Sequence, residues 1–127
     1  MLNQIILIGR LVADPELKVL DDGRKVADIT LAVQRPFKNM DGQYDTDFIK
    51  IILWEGLALS IESYCKKGVL IAVKGRLQTW KYEFSEDKKI NMLEVIGEKI
   101  TFLQTSGSKK EPHLDEMWEE TYGLLFI

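Results

Sequence analysis

Three long apolar stretches of the chain each carry a glycine in their interior: NQIILIGRL (3–11), VLIAVKGRLQTWKYEF (69–84) and INMLEVIGEKITFL (90–103). Runs rich in Ile, Val and Leu favour extended chain. A glycine inside such a run marks a bulge or a bend. Gly9, Gly75 and Gly97 therefore point to a curved sheet, and a small sheet that closes on itself needs bends of this kind.

Two further strands are expected at VADITLAV (26–33) and DFIKIILW (47–54). LDDGRK, ahead of the first, carries the Asp-Gly signal of a hairpin turn. RPFKNMDGQYD, between the two, reads as a polar loop with Pro36 and a second Asp-Gly. EGLALSIESYCKKG is the one good helix, with Leu57, Ile61, Tyr64 and Cys65 as its apolar stripe. Lys66 and Lys67 suit the negative end of its dipole, and Gly68 suits the C-cap. The resulting order, β-β-β-α-β-β, has no βαβ alternation. It predicts an all-β chain: a five-stranded Greek-key OB barrel with one helix between strands 3 and 4. The sheet face and loops of such barrels bind oligonucleotides.

DFIKIILW is apolar on both of its faces. Ile49, Ile51 and Leu53 suffice to fill a core, which leaves Phe48, Lys50, Ile52 and Trp54 on the other side. Burying Lys50 unpaired is costly, so this second side is expected to meet solvent, with Phe48 and Trp54 as exposed rings and Ile52 packing. Exposed rings interleaved with cations suit single-stranded nucleic acid, because every base has a face to stack and every linkage a phosphate to neutralise. Phe37, between Arg35 and Lys38, adds a third ring. Trp80, Tyr82 and Phe84 alternate along the fourth strand, and at most two of them are expected to be ligands. Arg10, Arg35, Lys38, Lys50, Lys74, Arg76 and Lys81 are the candidate phosphate contacts. Lys66, Lys67, Lys88, Lys89, Lys109 and Lys110 are better explained by capping, turns and the linker.

The formal net charge of −3 argues against a nucleic-acid binder only until its distribution is examined. Residues 1–105 hold fifteen Lys/Arg and fifteen Asp/Glu, whereas residues 106–127 hold two lysines and five acids. A neutral body can carry a basic groove when its acids lie elsewhere. The chain therefore divides into a domain, 1–105, and a linker with an acidic tail, 106–127. In the tail Leu114, Met117, Trp118, Tyr122 and Leu125 keep helical spacing between acids.

No apolar run approaches the ~20 residues that span a bilayer. MLNQIILIGR, with no basic leader and no small-residue cleavage site, is not expected to be a secretory signal. Cys65 is the one cysteine, which excludes an internal disulfide and suits a reducing compartment. It is read as a small core residue. Lone His113 forms no recognised metal spacing with it. Asp45 and Asp47 have no third acid placed with them, and no P-loop or G-x-S-x-G occurs. No catalysis, metal or cofactor is expected.

NQIILIGRLVADPEL, DITLAVQRPFKNMDGQYDTDFIKIILW, LALSIESYCKKG and VLIAVKGRLQTWKYEF, taken in order over about residues 2–104, resemble the bacterial single-stranded DNA-binding proteins. The resemblance implies an OB barrel, commonly a homotetramer, that protects single-stranded DNA in replication, repair and recombination, in the cytoplasm and at the nucleoid. It implies stacking at Phe37, Phe48, Trp54 and Tyr82. Trp80 stands where many relatives carry Arg, exchanging a phosphate contact for a stacking one. The family's tail ends in an acidic run and a Pro-Phe tip that docks replication and repair proteins. Here the chain ends YGLLFI without that proline, so Leu125, Phe126 and Ile127 depart from the docking pattern. The rival reading is an OB protein-interaction module of a replication-restart type, which uses the same face for a partner.

Overall fold

The computed structural model of the chain describes residues 1–104. The elements are β1 (Ile5–Leu11), β2 (Glu16–Val19), β3 (Lys25–Lys38), β4 (Tyr44–Trp54), α1 (Gly56–Tyr64), β5 (Leu70–Ser85) and β6 (Lys88–Phe102). They join in the order β1-β5-β6-β4-β3-β2, and β1 also pairs with β3. This last pairing sets Arg10 opposite Ala32 and Leu11 opposite Leu31, and it closes β1, β5, β6, β4 and β3 into a barrel. Among the described strands only β4 and β6 pair in parallel. α1 falls between the third and fourth of the five barrel strands, consistent with the OB barrel expected from the sequence.

Alternation fills the interior. Leu31, Ile51, Leu53, Ile61 and Ile71 are completely buried, and Val73 nearly so. Ile49 packs against this core from its rim, while Phe48 is 68% exposed. The two sides of β4 thus separate as their parity predicts. Ala58 and Ile61 are the residues that α1 buries.

The interior glycines mark places with no room for a side chain. A Cβ on Gly9 would collide with the carbonyl of Ala32, at the seam between β1 and β3. One on Gly75 would collide with the carbonyl of Ile96, beside the register shift between Lys74 and Gly75. At Gly97 the obstacle is the side chain of Leu53.

Four features differ from the sequence expectations. β2 is an additional short strand between β1 and β3, where no strand was expected, and it lies along β3. β3 and β4 continue through much of the stretch read as a loop, and the turn between them is closed by Asn39 N–H donating to the Gln43 carbonyl at 2.7 Å. α1 ends at Tyr64, and its C-cap is Cys65 in extended conformation rather than Gly68. Gly68 instead serves the next turn, at φ 90°, where its N–H reaches the Leu11 carbonyl at 2.8 Å. Tyr64 is not core: it is 60% exposed, with its ring 5.8 Å from that of Phe102. Cys65 is buried, and burial pushes its thiol up from the ordinary value. The calls on residues 106–127, Leu125, Phe126 and Ile127 included, lie outside the described residues.

Gly9 meets backbone, whereas Gly97 meets the tip of one side chain, Leu53 Cδ2, so alanine is tolerated differently at the two. Gly9→Ala is expected to cost about 1–3 kcal/mol, the range for overpacking a tight site, and Gly97→Ala less. Urea denaturation midpoints of the two variants check the order.

Candidate nucleic-acid interface

β4 presents Phe48, Lys50, Ile52 and Trp54 outward. In register they face Ala32, Thr30, Asp28 and Val26 of β3. Ala32 and Thr30 are small, so nothing on the neighbouring strand rises over Phe48 or Lys50, and both are exposed. Trp54 closes the row and is half-buried. The chain turns sharply after it, at Glu55, whose φ of 53° is rare for an L-residue. Two contacts to Lys25 hold that turn. Glu55 N–H donates to the Lys25 carbonyl at 2.8 Å, and Lys25 N–H donates to Glu55 Oε1 at 3.2 Å.

A row of register partners carries this face across the barrel. Asp28 of β3 pairs with Ile52 of β4, Ile52 with Ile96 of β6, and Ile96 with Arg76 of β5. Ile96 is buried yet outside the main core cluster, so the outward Ile52 has an apolar neighbour on this side of the sheet. The packing role expected for Ile52 thereby has a physical basis.

From Arg76 the outward positions of β5 continue through Gln78, Trp80, Tyr82 and Phe84. The Trp80 and Tyr82 rings meet edge to face at 6.1 Å, and Tyr82 and Phe84 lie 6.3 Å apart with planes 23° from parallel. Met92 and Ile90 pair with Trp80 and Tyr82 on β6, and all five side chains are exposed. The sequence-predicted rings Phe48, Trp54, Trp80 and Tyr82 therefore share outward parity. Phe37, 62% exposed, stands apart within the register shift between Gln34 and Lys38. Pro36 falls within that shift and has no N–H for the ladder.

The cations divide. Arg10 is in register with Ala32 and hence in line with Phe48. It lines an open groove of about 440 Å³ with Ile8, Gln34 and Thr46, and its Nη1 donates to the Gly68 carbonyl and Gln104 Oε1, both at 2.9 Å. Lys74 and Arg76 are half-buried on the outward side of β5, and Arg76 Nη1 donates to Gln78 Oε1 at 2.8 Å. Lys50 Nζ lies 3.6 Å from Asp28 Oδ2. Lys38 Nζ lies 5.9 Å from the centre of the Tyr44 ring. Lys81 alternates with Trp80 and Tyr82, so it sits on the opposite side of the hairpin. Arg35 is not gathered with these groups. Its guanidinium donates to both oxygens of Asp47, the shortest contact being 2.9 Å, and Asp45 lies 3.6 Å away. These carboxylates raise Arg35, and the Arg35 hydrogen bonds hold Asp47 below the usual carboxylate value.

Sequence reasoning missed two residues of this surface. Tyr44, 47% exposed, has the parity of Phe48, and extending the alternation backwards would have found it. Arg24 comes from the turn between β2 and β3. Its guanidinium carbon lies 5.1 Å from the centre of the Trp54 ring, and its Nε donates to Asp22 Oδ2 at 2.7 Å. No local pattern announces a contact between residues 24 and 54. Among the described residues there is no group of three His, Cys, Asp or Glu side chains able to hold a metal ion, and no helix long and apolar enough to cross a membrane.

A family model described as "Single-strand binding protein family" matches residues 2–103. Curated relatives named "Single-stranded DNA-binding protein" are similar over most of the chain. The relative from Halalkalibacterium halodurans is 42% identical over 111 residues, which is 87% of this chain and 66% of the relative. That from Oceanobacillus iheyensis is 39% identical over 109 residues, 86% of this chain and 68% of the relative. That from Staphylococcus aureus strain N315 is 45% identical over 108 residues, 85% and 69% respectively. The chain thus spans about two thirds of the length of these relatives.

The Arg35–Asp47 pair has a signed pH dependence. Asp47's folded value is depressed, so its contribution to stability is present above the unfolded carboxylate value and is lost as pH falls through the folded one. Asp47→Asn is therefore expected to lower the denaturation midpoint at neutral pH and to match the wild type in strong acid. In Arg35→Gln, an NMR titration should find Asp47 moved up towards the ordinary value.

Proposed function

This chain belongs to the single-strand binding protein family, and we propose that it binds and protects single-stranded DNA without strong sequence preference. The observation that supports this reading most directly is the exposed Phe48 on a strand whose other side is committed to the core. A ring left in water there is idle unless something stacks on it. The row through Ile52, Ile96 and Arg76 extends the same surface to Trp80 and Tyr82. The names of the relatives point to the same ligand.

In this reading bases stack on Phe48, Trp54, Trp80 and Tyr82, with Phe37 at the far end of β3. Arg10, Lys50, Lys74 and Arg76 meet phosphates on the shared surface, and Arg35, Lys38 and Lys81 meet those that run past its edges. Stacking ignores base identity, and phosphate contacts make the complex sensitive to salt. The protein performs no catalysis. Residues 1–105 are the binding domain and 106–127 the tail. Assembly as a homotetramer, service in replication, repair and recombination, and contact with other proteins through Leu125, Phe126 and Ile127 belong to the same proposal.

The test is a titration with poly-dT at two salt concentrations, read by tryptophan fluorescence. Quenching at low salt that weakens at high salt is expected, and its absence would favour the protein-interaction reading. Phe48→Ala should lose about 1–3 kcal/mol of binding, the worth of one stacked base, with stability changed by no more than about 0.5 kcal/mol. Leu53→Ala, from the buried side of the same strand, should instead cost about 2–5 kcal/mol of stability. A Phe48→Ala protein that melts early but binds normally would reverse the assignment of the two sides.

A further inference from the structure

We infer that Asp28 limits how much this surface binds through charge, and so biases it towards ligands that offer unstacked bases. The inference rests on the single-strand reading above.

Asp28 projects outward from β3, opposite Ile52 and diagonal to Lys50. Lys50 is the cation that stands between Phe48 and Trp54 on β4, and its Nζ is 3.6 Å from Asp28 Oδ2. A phosphate that approaches Lys50 must therefore share it with, or take it from, a carboxylate of like charge to itself. Both side chains are well exposed, at 66% and 38%, so the pair is weak and exchangeable rather than a fixed part of the fold. The cation at the second ring is matched in the same way, Arg24 over Trp54 being held by Asp22. The stretch between the two rings thus carries little uncompensated positive charge.

The consequence differs by ligand. A single strand still gains from placing bases on Phe48 and Trp54. A polyanion without free bases gains only through charge, and here that gain is reduced by the displaced carboxylate. Asp28 is in this sense a specificity residue. It acts on phosphate through Lys50, without itself offering a favourable contact to DNA. Asp22 is a poorer place to test the idea, because its Oδ1 also accepts the Arg24 backbone N–H at 3.0 Å and so supports the turn.

The experiment compares the wild-type chain with Asp28→Asn, and with Asp28→Ser as a second neutral variant, against a dT oligonucleotide and against heparin, a polyanion with no bases. Thermal melting confirms that each variant is folded. At low salt Asp28→Asn is expected to bind the oligonucleotide roughly two- to fivefold tighter, the scale of one exposed ion pair. Its slope of log affinity against log salt should steepen by about 0.7, the increment for one more neutralised phosphate on a single strand. Its relative gain for heparin should be larger, so selectivity falls. In a Lys50→Ala background the gain from Asp28→Asn should disappear, as it must if the two residues act as a pair. Unchanged affinity and slope in both folded neutral variants would overturn the inference, as would a gain for heparin no larger than that for the oligonucleotide. So would a gain that survives Lys50→Ala, because Asp28 would then act by general repulsion. Failure of the wild type to bind the oligonucleotide at all would overturn the single-strand reading itself, an outcome distinct from either.

Discussion

Two residue pairs, Arg10 with Ala32 and Leu11 with Leu31, join β1 to β3 and turn an open sheet into a closed one. The join brings two backbones together at Gly9, where the Ala32 carbonyl leaves no room for a Cβ. Once the sheet is closed, every barrel strand has an inside and an outside. Period-two alternation then assigns each side chain to one of them without further choice. The interior is filled by Leu31, Ile51, Leu53, Ile71 and Val73, and those burials are the main favourable term in folding. Everything on the outside of β4 is where it is because the inside is full.

This division explains how a strand apolar on both sides avoids becoming a strand buried on both sides. Ile51 and Leu53 are fully enclosed, and their neighbours in sequence cannot be. Phe48 and Lys50 emerge opposite Ala32 and Thr30, too small to cover them. Ile52 emerges opposite Asp28 but next to Ile96, so it has a large apolar neighbour where Phe48 has only the Ala32 methyl. The same strand therefore supplies a packed residue and an available ring on one face. The difference lies in the neighbouring strands, not in the residues themselves.

The parts of this arrangement legible in the sequence are those governed by local period. The five barrel strands, the helix and the outward parity of Phe48, Lys50 and Trp54 all follow from alternation and from glycine placement. The parts that were not legible arise where local period is uninformative. Polarity marks a loop only if strands need a core, and the outer ends of β3 and β4 have none, since they pair with each other beyond the barrel. Hence RPFK and YD, at the outer ends of these two strands, read as loop, and the alternation stops short of Tyr44. β2 is short and mostly exposed, with Leu17 as its one side chain against the core. α1 ends where Cys65 turns extended, its N–H still bonded to the Ile61 carbonyl, and the tertiary bond from Gly68 N–H to the Leu11 carbonyl, which no helical stripe encodes, draws Gly68 into the next turn. Arg24 over Trp54 and Asp28 beside Lys50 depend on which strands are neighbours, and that is known only once the sheet order is known.

The two groups of rings differ in how firmly they are held, and this bears on how one ligand would use both. Phe48 and Trp54 project from a strand whose alternate residues are locked in the core, so their backbone positions are fixed before any ligand arrives. Trp80, Tyr82 and Phe84 project from a hairpin whose exposed side chains meet chiefly one another and the facing Met92 and Ile90. Ordering a mobile side chain on binding costs about 0.5–1.5 kcal/mol, which falls more heavily on the second group. The first group would then carry the initial, register-setting contacts of a bound strand. The hairpin, which joins the barrel along the Ile52–Ile96–Arg76 row, would follow the strand away from it. A surface divided in this way suits a ligand that varies in sequence and path but always presents bases in succession.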